Sequence, residues 1–158
     1  MKNVSGIGRS REDVEIGIDK PVRSGLVTSE DVKMLVLSHG GLTTPRDIAS
    51  RTGFTPNRIR SLISRWEQDR LIFILRFKGR IYIAEYALSM SDGAVKPIPA
   101  IKFVINSLTT KMGSWQMAFW FMCGSNFLKG KTPEQCLKRN PKLVIAAAKF
   151  EVDGAMHG

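Results

Sequence analysis

The sequence predicts a mainly α fold with a small β-hairpin, and three observations carry that expectation. Apolar residues recur at helical spacing in several short segments, most of them opened by a Thr-Pro or Thr-x-x-Asp start and followed by a glycine or proline stop. Ile-, Phe- and Tyr-rich runs of strand character occur at 71–77 and 80–86. A hydrophobic fraction of 43% with 24% charged residues belongs to a folding chain, and 158 residues fit one ordinary domain or two very small ones.

Taken in order, residues 1–25 mix Gly, Ser and both charges without a sustained period and are expected to form a flexible arm. Thr28 with Asp31 marks a helix start, Val32, Leu35 and Val36 give it an apolar face, and Gly40-Gly41 stops it. Thr44-Pro45 opens a second helix that ends at Gly53, and Thr55-Pro56 opens a third. In the third, Ile59, Leu62, Ile63 and Trp66 form one buried stripe. The two β-rich runs follow, joined by Lys78-Gly79, a hairpin signal. Helix, helix, helix, hairpin within residues 26–88 resembles a winged helix-turn-helix DNA-binding domain. Residues 89–97, rich in Ser, Gly and Pro, are expected to be a linker. Residues 98–158 read as a small helical domain: Ile101, Val104, Ile105 and Leu108 share a face, and Gly113-Ser114 makes a corner before an aromatic helix. Thr132-Pro133 with Gln135 and Asn140-Pro141 start two more helices.

The formal net charge of +10 makes a polyanion the expected partner. Residues 43–80 hold nine basic groups against Asp47, Glu67 and Asp69, so more than half of the excess sits in the helix-turn-helix and hairpin. Eight of those nine are arginines, whose planar fork suits phosphate and guanine edges, which favours DNA over a membrane. The most apolar stretch, 115–128, is too short to span a bilayer and is interrupted by Gln116, Gly124, Ser125 and Asn126. The opening MKNVSGIGRSRED has no apolar signal core, and the expected location is cytoplasmic, on the nucleoid. Opposite the stripe on the third helix lie Asn57, Arg58, Arg60, Ser61, Ser64 and Arg65, small polar groups mixed with cations, as a major-groove helix requires. A solvated face is the plainer meaning of any one cation. Lys78 at the hairpin tip, flanked by Arg76 and Arg80, is placed to reach the backbone or minor groove, and Arg46 and Thr55 complete the expected DNA contacts.

Trp115, Phe119, Trp120, Phe121 and Phe127 surround their segment rather than lining one side, which implies central burial, a partner face, or both. Trp115 and the aromatic run through Phe121, with Asn126, Leu128, Gly130, Pro133, Leu137, the 144–148 run and terminal His157-Gly158, give the last 45 or so positions a resemblance to the toxin-binding domain shared by the antitoxins called Xre, MbcA and ParS. The resemblance implies a homodimer that grips an NAD-consuming RES-domain toxin, with Trp115, Phe119, Trp120, Asn126, Phe127 and His157 as partner contacts and the N-terminal half on the operator. Members of that family often carry an all-helical DNA-binding domain, from which the hairpin here departs. The alternative is a phage or plasmid regulator, or an architectural nucleic-acid-binding protein, that uses the C-terminal half for self-assembly.

No catalytic residue, metal site or cofactor is expected. Gly130-Lys131-Thr132 resembles the end of a phosphate-binding loop, but Ser125 stands where that loop needs glycine, and no strand precedes it. Cys123 and Cys136 show no metal-ligand spacing, and His39 and His157 have no ligand-spaced neighbours in sequence.

Overall fold

The structure, a computed structural model, describes residues 28–157, with side chains through residue 154. The expected arm at 1–25 lies outside the described residues. The chain is mainly helical with small antiparallel sheets.

Helix α1 (Ser29–His39) begins at a reciprocal cap. Thr28 Oγ1 accepts from the Asp31 N–H, while the Thr28 N–H donates to Asp31 Oδ2 at 3.0 Å. The Thr28 N–H first, and second the Thr28 hydroxyl, which donates to the same Oδ2 at 2.8 Å, hold the Asp31 carboxyl below the usual carboxylate range. Strand β1 (Leu42–Thr43) leads into α2 (Pro45–Thr52), capped by Thr44 and closed by left-handed Gly53. Helix α3 (Pro56–Gln68) follows, with Pro56 in its first turn and Thr55 as its cap.

Strands β2 (Leu75–Phe77) and β3 (Arg80–Ala84) form the expected hairpin. Lys78 and Gly79 take φ of +50° and +77°, the left-handed pair of a tight turn that matches strand twist. The sheet order is β1-β3-β2, with Leu42 opposite Ala84 and Leu75 opposite Tyr82. Residues 71–74, expected as strand, are irregular instead. Ile72, Phe73 and Ile74 are all buried, so the segment plugs the core rather than alternating across a sheet.

The segment 89–97 is not an irregular linker: β4 (Leu88–Ser91) and β5 (Ala94–Pro97) make a second hairpin about Asp92 and Gly93, both at positive φ. Beyond it come α4 (Pro99–Leu108), α5 (Ser114–Met122), α6 (Pro133–Cys136) and α7 (Pro141–His157). Buried residues from Val32 to Ala148 form one continuous cluster spanning that hairpin. Phe121, fully buried on α5, stacks on Phe73 at 6.1 Å and lies 4.6 Å from Tyr86, so the aromatic helix packs directly on the N-terminal half.

Candidate nucleic-acid interface

Helix α3 is anchored through Ile59, Ile63 and Trp66, and burying each of the two isoleucines contributes about 1.5–3 kcal/mol. That anchoring leaves Asn57, Arg58, Arg60, Ser61, Ser64 and Arg65 exposed on the other side. Among them, Arg60 donates to Asn57 Oδ1 at 3.1 Å, and the Arg58 guanidinium lies 5.9 Å from the Phe54 ring. Arg46 and Arg65 are exposed and make no ion pair among the described residues. Neither does Lys78, in the hairpin turn, nor Arg80, which follows it.

Two of the residues expected on DNA have other work. The Thr55 hydroxyl accepts from the Arg58 N–H at 3.2 Å, so it caps α3. Arg76 is held by Glu67 through both nitrogens of its fork, at 3.0 and 2.8 Å. Donating to Glu67 raises the Arg76 pKa above its already high value, and its charge is locally neutralised. Arg51 is similarly tied to Glu85 at 2.9 Å and Thr43 at 3.2 Å.

The sequence reading missed Phe54. It is 40% exposed in the turn between α2 and α3, and its signal was an apolar side chain outside any helical stripe. It also gave no role to Glu67, whose partner across the turn a one-dimensional reading does not pair.

In the C-terminal half, Phe119 and Trp120 are only 5% and 9% exposed, so they are core and not partner surface. The apolar ring around α5 is satisfied by central burial. Trp115 is half-buried and meets Phe77 edge-on at 6.1 Å, with Lys33 Nζ 5.9 Å from its ring centre. It therefore supports the β2–β3 hairpin. Asn126 and Phe127 are exposed on the short turn Asn126–Leu128. Phe127 lies 5.2 Å from Phe150, itself exposed on α7 and also missed by the sequence reading. Phe150 falls outside the buried stripe of Val144, Ala147 and Ala148, which was the available signal. The His157 side chain lies outside the described residues.

The loop that resembled a phosphate cradle is closed on itself. Ser125 N–H donates to the Lys131 carbonyl, Gly130 N–H donates to the Ser125 carbonyl, and a Cβ at Gly124 would stand 3.0 Å from the Gly130 oxygen. His39 does have a carboxylate neighbour in space: its Nε2 lies 3.1 Å from Glu134 Oε2. Among the described residues no three His, Cys, Asp or Glu side chains gather to hold a metal ion, and no helix is long and apolar enough to cross a membrane. Comparison with protein-family models, curated proteins and solved structures finds no match for the chain.

Proposed function

We propose that the domain expected at 26–88, described from Thr28 on, is a winged helix-turn-helix and that the protein is a DNA-binding transcriptional regulator. In this reading α3 enters the major groove and the Lys78-Gly79 turn lies on the neighbouring backbone. One observation carries it. A helix that buries Ile59, Ile63 and Trp66, with Leu62 half-buried beside them, presents Asn57, Arg58, Arg60, Ser61, Ser64 and Arg65 together on its exposed side. The element order and the β1-β3-β2 sheet support the same reading. Phosphate contacts position such a helix, and the Asn57–Arg60 pair is chemically suited to adenine and guanine edges.

The test is duplex binding across a salt series. Arg58→Ala with Arg60→Ala is expected to abolish measurable binding near physiological salt. At low salt the residual binding should show a log K against log salt slope shallower by about 0.9 for each phosphate that the variant no longer neutralises. Unchanged affinity and slope would sink the proposal. Salt-dependent binding with no sequence preference would instead mark the architectural alternative.

For the C-terminal half we propose a protein-contact role, as a homodimer surface or the surface for a RES-type toxin that makes this chain its antitoxin. The exposed Phe127–Phe150 pair favours it, because aromatic residues are enriched in interface cores.

A further inference from the structure

The β2–β3 hairpin is held from both faces. Arg76 and Phe77 are neighbours in one strand, so their side chains leave on opposite sides of the ribbon. Arg76 meets Glu67 of α3 through two hydrogen bonds, and Phe77 meets Trp115 of α5. Glu67 is otherwise badly placed. A carboxylate in the last turn of a helix opposes the helix dipole, and beside a DNA-reading surface it repels the ligand. A bidentate fork, by contrast, restricts both partners and fixes an orientation that a point charge does not.

We infer that Glu67 and Arg76 are positioning residues that set the hairpin against helix α3, and that Arg76 does not bind phosphate. This rests on the DNA-binding reading, and it makes the arrangement of helix and hairpin a determinant of affinity beside the cations that contact the duplex.

The experiment measures duplex binding against salt for the full chain, with amide exchange of the hairpin in the free protein. Electrostatics alone makes E67Q bind more tightly, because a negative charge leaves the surface. The clamp makes it bind roughly twofold to fivefold more weakly, the range for removal of one exposed ion pair. R76Q should weaken binding with an unchanged salt slope, whereas an arginine that neutralised a phosphate would take about 0.9 off the slope when replaced. The reversed pair, E67R with R76E, should recover most of the affinity. In the free E67Q protein, β2 and β3 amides should exchange faster while those of α3 keep their rates. Equal or tighter duplex binding by E67Q, a reduced slope for R76Q, or unchanged hairpin exchange would each overturn the clamp. A wild-type chain that binds no duplex would overturn the functional reading, and the exchange measurement would still decide whether the pair holds the hairpin.

Discussion

Tyr86 carries its phenol oxygen into the interior, where it has no hydrogen-bond partner among the described residues. Its ring is stabilised by Phe121, but the hydroxyl is desolvated, a cost of about 1–3 kcal/mol for an unsatisfied group. Burial first, and the nearby Glu134 charge second, push its pKa well above the ordinary 10.0. The folded chain therefore keeps this proton at a pH where the unfolded chain releases it. Stability from this group is complete below about pH 10, the unfolded value, and falls as the pH rises beyond it. Tyr86→Phe should raise unfolding stability at pH 7 by about 1 kcal/mol or more, and its advantage over wild type should widen between pH 9 and 11. Denaturant melts at those pH values decide it, and a less stable variant or a constant gap would refute the account. Little at this scale was legible beforehand. Thr28 with Asp31 and Thr132 with Gln135 could be read as caps because their partners are three positions apart. His39 and Glu134 are ninety-five positions apart, and only folding pairs them.

Two hairpins with the same turn conformation show what local sequence can and cannot announce. Lys78-Gly79 stood out because β-rich runs flank it. Asp92-Gly93 adopts the same pair of positive φ angles and is the stronger turn dipeptide, yet Ser, Pro97 and Pro99 around it suggest a linker. Pro97 is tolerated because it closes the end of a two-stranded ribbon, opposite Leu88, where no further strand needs its missing donor. Strand β1, two residues long, is too short to show any period. At Gly79 a Cβ would meet nothing within 4 Å, so substitution there tests backbone conformation alone. Gly79→Ala should cost about 1–2 kcal/mol, the penalty of a left-handed L-residue, and should weaken duplex binding by loosening the turn. Lys78→Asn is expected to act oppositely on the two readouts: slightly more stable, because asparagine tolerates φ of about +50°, yet weaker on DNA for want of the cation. Thermal melts beside binding isotherms check both variants, and an unimpaired Gly79→Ala would show that the turn's geometry sets neither stability nor affinity.

At the scale of the whole molecule, the aromatic helix decides how the halves relate. A segment apolar on every side could be read as central or as partner-facing, and one-dimensional periodicity has no means of choosing. Packing chooses for most of it: Met117, Ala118, Phe119, Trp120 and Phe121 are buried, and Phe121 lies against Phe73 and Tyr86 from the other half. The candidate interface was more legible than this junction, because amphipathic period and charge sort inside from outside along a single helix, whereas no local pattern reports which distant surface a helix will cover. Since the Phe121 ring bridges elements on both sides of the β4–β5 hairpin, truncating it removes packing from both. Phe121→Ala should cost about 3–5 kcal/mol, within the range for a buried aromatic truncated to alanine. Both variant and wild type should unfold in one cooperative transition, with far-ultraviolet ellipticity and tryptophan fluorescence changing together. The four α3–hairpin reporters Ile59, Ile63, Leu75 and Ile83, all buried, should lose amide protection in step with α4 and α7. Two separate transitions, or a loss of protection confined to residues 98–157, would show instead that the junction is a contact between independent folding units.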